Sequence, residues 1–217
     1  MALPKWINGY LREEGLERIE TAVRHAEKRT RGEIVPMVVR QSGGYGHAPL
    51  VWTALALATV VTLGFSFTRD HLPWGSRAWM PLDLVALSLI GSLLAKVPAL
   101  QRLVTPKADR ERAALLRAQT AFHAHGLDKT KGSSGILLFM SLHDRQAVVL
   151  ADKAIADRVP HHAWDKICVM LLRGASQRDL ANGYQAAIAE SAKVLEKYFP
   201  AKSGGKDELR NQLIIEE

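Results

Sequence analysis

Four acidic side chains stand out chemically in this 217-residue chain: Glu33, Asp144, Asp152 and Asp157. Three of them, Glu33, Asp144 and Asp152, border an apolar run, where a strand gives way to a loop. Carboxylates converging on one end of a sheet would supply the hard oxygen ligands that Ca²⁺ or Mg²⁺ takes, and with such an ion a weak phosphatase activity becomes conceivable. Against this, Arg145, Lys153 and Arg158 stand directly beside Asp144, Asp152 and Asp157. Acids on loops with basic neighbours are ordinarily solvated and paired with those neighbours.

Other reactive types point away from catalysis. His123 and His125 are two apart and fall on different helix faces, and His161 and His162 are adjacent, so neither pair has the i, i+4 spacing of helical metal ligation. Cys168 precedes Arg173 by five positions, one short of the spacing that wraps a phosphate loop around a thiolate. Lying within the apolar run Ile167 to Leu172, it is expected to be a buried core thiol. Ser133-Ser134-Gly135 lacks the Gly-Lys-Ser/Thr ending of a nucleotide phosphate loop and reads as a turn. No organic cofactor is implied; Ca²⁺ or Mg²⁺ is the one cofactor the acids leave open.

These residues depend on elements that the overall composition conceals. Hydrophobic residues make up 47% of the chain, which excludes disorder as the dominant state. Mean hydropathy is −0.05, an average that hides strong segregation. Residues 48–67 are twenty consecutive positions without a charge, and a helix of that length covers about 30 Å, the thickness of a hydrocarbon core. A second apolar segment, 80–101, carries only Asp83 near its start and Lys96 near its end, positions from which both can reach water. The loop between them holds Pro73, Trp74, Gly75 and Trp79, as expected of a turn at a membrane surface. Residues 48–101 therefore predict a two-helix transmembrane hairpin.

Charge sets the orientation. The loop offers Arg69 and Arg77, whereas Arg40, Arg102, Lys107, Arg110, Arg112 and Arg117 flank the hairpin, so both flanks are expected in the cytoplasm. The net charge of +7, which first suggests nucleic acid, is then explained by topology and by anionic lipid. No nucleic-acid partner is expected. No cleavable signal peptide is visible, and the single cysteine rules out an internal disulfide. The expected location is a bacterial-type inner membrane, crossed more than once. The lipid bilayer and an unidentified membrane or cytoplasmic protein are the expected partners.

The flanks read as one discontinuous cytoplasmic domain, 1–47 with 102–200. Leu16, Ile19, Val23 and Ala26 form one face of a helix over 11–30. Glu33 to Val39 is a buried strand in which Pro36, unable to donate to a ladder, predicts an edge or a bulge. A helix over 107–125 ends at Gly126, and Ile136 to Met140 and Gln146 to Ala151 form a β-hairpin. Helices over 163–173 and 177–198 follow, the second with Leu180, Tyr184, Ala187, Ile188 and Leu195 on one face. Residues 201–217 read as a mobile tail with one apolar patch, Leu213-Ile214-Ile215. The sum is an α/β fold, a layered α/β/α sandwich around a small mixed sheet, interrupted by the transmembrane hairpin.

Gly32-Glu33-Ile34-Val35, followed by Ser134-Gly135 and the apolar strand to Met140 with Ser141-Leu142-His143-Asp144-Arg145, resembles the TPM domain family. The likeness continues through Val148 to Asp152, Val159-Pro160 and the last two helices with Gly183 and Tyr184. It covers nearly all of the chain outside 48–101, as a variant with a membrane hairpin inserted after the first strand. The resemblance implies an α/β/α sandwich, metal-dependent phosphatase activity in some relatives, and a role in membrane-complex assembly or repair in others. Where the family has Gly-aromatic-Gly and later an Asp after Leu-Pro, this chain has Ala151-Asp152-Lys153-Ala154 and Val159-Pro160-His161. Lys153 beside Asp152 weakens a hard-cation site there. An interaction or assembly module is thus expected ahead of a weak phosphatase using Asp144 and Asp152.

Overall fold

The computed structural model describes residues 3–43, 50–55, 57–58, 85, 89–91, 93–94, 97, 100, 103, 105–130, 134–201 and 209–217. The chain divides into two compact units, Met1–Gly43 with Arg110–Glu217, and Gly44–Asp109. The larger unit is built on two strands, β1 (Glu33–Val39) and β2 (Gly135–Ser141), in which all seven positions are buried. Continuous apolar runs of this kind belong to strands covered on both faces. β1 and β2 pair in parallel from Glu33 opposite Gly135 to Val39 opposite Ser141. β3 (Gln146–Ala151) returns antiparallel along β2, and β4 (Ile214–Glu216) lies parallel to β1, giving the order β3-β2-β1-β4.

Alternation along the strands divides the core in two. Ile34, Val38, Ile136, Leu138 and Met140 pack beneath α1 (Glu13–Glu27), the short α3 (Lys153–Ala156), α4 (Asp165–Ser176) and α5 (Leu180–Tyr198). Val35, Met37, Val39, Leu137 and Phe139 pack on the other face, beneath α2 (Lys107–Ala124). The sandwich expected from the sequence is thus a four-stranded mixed sheet with helices on both sides. Ala114, Ala118 and Ala121 form the buried stripe of α2, small residues that bring its axis close to the sheet.

Glycine sets another close approach. A Cβ on Gly174 of α4 would lie 2.5 Å from Gly183 Cα of α5, so these helices cross with their backbones in contact. Asp179 caps α5 by accepting from the Asn182 N–H at 3.0 Å. One turn in, the fully buried Tyr184 donates its hydroxyl to the Met37 carbonyl at 2.5 Å, tying α5 to the central strand. Removal from water pushes the Tyr184 phenol well above its ordinary range.

Pro36 lies in an interior strand, and hydrogen-bond parity explains how. Glu33 N–H donates to Ser134 on the β2 side and Arg40 N–H donates to Glu216 on the β4 side, so the even residues of β1 face β4. β4 pairs only with Met37 to Val39, so Pro36 stands where β1 has no strand beside it. The expected edge is therefore a local one. The remaining outward amide of that stretch, Ile34 N–H, is taken by Glu27 Oε1 at 3.0 Å.

The C-terminal residues depart from the expected tail. Ile214 to Glu216 complete the sheet, Leu213 is buried with the helices above it, and α2 grips the strand through its acidic end. Arg117 Nη2 lies 2.9 Å from Glu216 Oε2, and His125 Nε2 lies 3.2 Å from Glu216 Oε1.

The smaller unit contains the segments expected to span a membrane, 48–67 and 80–101, most of which lie outside the described residues. Among the described residues no helix is long and apolar enough to cross a membrane. Residues 50–55 and 89–91 are helical, and they touch at Gly91, where a Cβ would lie 2.9 Å from the Thr53 backbone.

Candidate functional site at the carboxyl end of the sheet

The structure does not gather the four acids. Asp144 follows β2 at the carboxyl end of the parallel strands, whereas Glu33 opens β1 at the other end. Six residues of strand separate these levels, about 20 Å. Asp152 lies at the Glu33 end, where its N–H donates to the Gly135 carbonyl at 2.8 Å. Even there β2 intervenes between the strands that carry Glu33 and Asp152, which keeps their backbones about 10 Å apart. Asp152 serves as the N-cap of α3, with Oδ1 accepting from Lys153 N–H at 2.6 Å, and the exposed Asp157 ends the same helix. Among the described residues no group of three or more His, Cys, Asp or Glu side chains is placed to hold a metal ion. The expected convergence fails because the acids occupy successive strand ends, and an antiparallel hairpin sends successive ends to opposite sides of the sheet.

Asp144 differs from the solvated hairpin acid that the sequence suggests: only 1% of it is exposed. Its Oδ2 accepts from Ser42 N–H at 2.8 Å and from Ser141 Oγ at 2.7 Å. Arg110 Nη1 donates to the Asp144 carbonyl at 3.1 Å. Leu142 N–H and His143 N–H donate to the carbonyls of Val39 and Arg40 at 3.0 and 2.9 Å, extending the β1–β2 ladder into the turn. Asp144 thus joins the exit of β1 and the end of β2 through its buried carboxylate, and the first turns of α2 through its main-chain carbonyl. These are the points where the larger unit gives way to residues 44–109 and resumes. The cluster fastens both attachments of the insert at one end of the sheet. Sequence reasoning did not single out Ser42 and read Arg110 only as one of the basic flanking residues; a serine closing an apolar strand three residues before Asp144 was the available signal.

The remaining candidates have structural roles. His123 Nδ1 lies 3.0 Å from Asp128 Oδ2, an interaction that holds the Asp128 carboxyl below its usual range. Cys168 is half-buried on α4 and burial pushes its thiol up to about 11, although the neighbouring Val149 N–H acts in the opposite sense. Val149 belongs to β3, whose even residues face β2, as the Asp152 N–H to Gly135 bond establishes; its amide therefore points to the outer edge of the sheet. The thiol occupies that edge donor and is a poor nucleophile.

No family model matches this chain, and no curated protein matches it. Among solved structures it is similar to the NMR structure of BA42 protein from the psychrophilic bacterium Bizionia argentinensis, with a TM-score of 0.58, 21% identity and 95% of each chain covered. That likeness establishes a shared fold, a mixed four-stranded sheet with packed helices.

Proposed function

We propose that this chain is a membrane-anchored module: a TPM-like α/β/α domain held at the bilayer by residues 48–101, working through interaction or membrane-complex assembly. The observation that carries the reading is an apolar surface on the insert. Leu50, Leu55, Val85, Leu89, Ile90 and Leu93 are each at least half exposed, on segments that are helical where described. Apolar side chains clustered on the outside of a helix pair require a nonaqueous covering, and a bilayer provides one. Contact between the segments at Gly91 fits the small-residue packing used by helices in lipid. The positive flanks favour a cytoplasmic placement of the domain at a bacterial-type inner membrane.

Interaction is favoured over catalysis because two of the acids are engaged in structural bonds. Asp144 locks a turn and Asp152 caps a helix. Two experiments test the reading. The full chain should stay with membranes through a high-pH carbonate wash, and replacing 48–101 with a Gly-Ser linker should release it to the soluble fraction. A full chain that is monodisperse without detergent defeats the anchor. Titrating the detergent-solubilised protein with Ca²⁺ or Mg²⁺ should give no binding heat at millimolar metal. Stoichiometric heat, with p-nitrophenyl phosphate hydrolysis lost in Asp144→Asn, would instead establish the phosphatase.

A further inference from the structure

We infer that the outer face of α1, with the groove between α1 and α5, is a dimer interface that receives α1 of a second copy of this chain in antiparallel orientation. The inference is carried by the larger unit alone and goes beyond the anchoring proposed above. α1 and α5 run side by side in the same direction: Arg18 Nη2 donates to Asn182 Oδ1 and Gln185 Oε1 at 2.5 and 2.6 Å, and near the carboxyl ends Arg29 pairs with Glu196. Between them lies a groove of about 1050 Å³ whose lining includes Ala22, Ala26, Ala189 and Ala192. Side chains this short leave room for a third helix at an interaxial distance of about 8–10 Å. The longer side chains at the groove are segregated by charge, with Glu14 and Glu17 towards one end and His25 and Lys28 towards the other.

These four side chains are exposed and make no hydrogen bond or ion pair among the described residues. The spacing along α1 explains why. Four residues on from Glu14 is Arg18, which is drawn away to α5; four on from Glu17 is Thr21, and four before Lys28 is Arg24, which is bonded to Glu20 at 2.7 Å. Acids near the amino end of α1 and bases near its carboxyl end suit the helix dipole, and the same gradient makes an antiparallel copy complementary. Thr21 is the centre of that symmetry: Glu14 and Lys28 lie seven residues to either side of it, about two turns, and Glu17 and His25 lie four residues to either side. A two-fold axis at Thr21 therefore sets Glu14 against Lys28 of the second copy and Glu17 against its His25, and each contact occurs twice. One like-charged pair falls in this register, Arg18 against Arg24 of the second copy, and both are already turned to partners within their own copy. On α5, Glu196 beside the basic end is paired with Arg29. One helix pair seated in two grooves belongs with the small, transient interfaces, below about 1,200 Å², so the dimer should dissociate on dilution.

The test is sedimentation velocity of the detergent-solubilised full chain over a concentration series, which should show a monomer–dimer equilibrium that weakens with added salt. Glu14→Lys and Lys28→Glu each turn two attractive contacts repulsive, and each should weaken the dimer by about tenfold. Both changes in one chain restore the pairing and should recover the parental association. Mixing the two single variants should likewise give a heterodimer tighter than either homodimer, a recovery between chains that a purely local role in α1 would not give. Thr21→Cys on a Cys168→Ala background should form a covalent dimer under mild oxidation, because position 21 faces its own copy across the axis. A chain that stays monomeric throughout the series overturns the inference. Dimers that ignore both single reversals, or that fail to recover in the double variant, overturn it in favour of association through another surface, and leave the membrane anchor standing.

Discussion

Replacing Asp144 with alanine tests whether this carboxylate is the structural lock of the domain. The substitution strands two donors, Ser141 Oγ and Ser42 N–H. Ser141 is fully buried, so its orphaned hydroxyl costs about 2 kcal/mol; Ser42 is half-buried and can rehydrate, so its amide costs about 1 kcal/mol. The sum is about 3 kcal/mol, equivalent to a melting-point drop of roughly 6 to 12 °C for a domain of this size. Asp144→Asn retains an acceptor oxygen and should lose only about 1 kcal/mol. Removing the hydroxyl as well should recover part of the loss, so Asp144→Ala with Ser141→Ala is expected to be no less stable than Asp144→Ala alone. The double-mutant coupling should reach about 1 to 2 kcal/mol. Urea unfolding in mild detergent, followed by circular dichroism, measures the parent, Asp144→Asn, Asp144→Ala, Ser141→Ala and the double alanine variant. An Asp144→Ala variant within about 0.5 kcal/mol of the parent, or a coupling near zero, refutes the argument.

Further tests address packing and ionisation. Gly183→Ala would place a Cβ 2.8 Å from Gly174 Cα, and since its three nearest neighbours are all backbone atoms the helices must separate; a loss of about 2 kcal/mol or more by chemical denaturation is expected. Tyr184→Phe removes the hydroxyl donated to the Met37 carbonyl and should lose about 1 kcal/mol without changing the fold, as checked by the same denaturation. A thiol raised to about 11 holds roughly a hundredfold less thiolate near neutral pH than an ordinary one, so Cys168 should react with iodoacetamide about that much more slowly than glutathione. Hydrogen bonding to Lys166 holds the Glu190 carboxyl below its ordinary range. Its stabilising effect should be present above about pH 4.3, the ordinary carboxylate value, and fade as the pH falls through the lowered one. Glu190→Gln should therefore cost at most about 0.5 kcal/mol at pH 7 and progressively less on acidification.

Strand and helix identity were legible because periodicity is a local property. β1 and β2 are covered on both faces, and their unbroken apolar runs record that burial directly. The α2 stripe Ala114, Ala118 and Ala121 and the α5 face through Tyr184 and Ile188 follow helical spacing in the same way. β4 was not legible: three apolar residues after a polar, glycine-containing stretch carry too little pattern to tell a strand from a tail. Its place is set by partners distant in sequence, the β1 backbone and the Arg117 and His125 side chains. The environment of Asp144 escaped for a related reason, since burial depends on Ser42 and Arg110 arriving from either side of the insert.

The sequence by itself determined the order of elements, the two-sided burial of β1 and β2, the hairpin between β2 and β3, and the segregation of apolar residues into 48–67 and 80–101. Each is written in spacing over ten or twenty residues. Tertiary structure alone decided which strand ends share a side of the sheet. Parallel pairing of β1 with β2 and the antiparallel return of β3 carry Asp144 about 20 Å from Glu33 and Asp152, against the expected metal cluster. The same pairing brings Arg40, Arg110 and Arg145 to the end where the insert is attached. Strand direction is a long-range choice, made by which faces can be buried together, and no local run of residues records it.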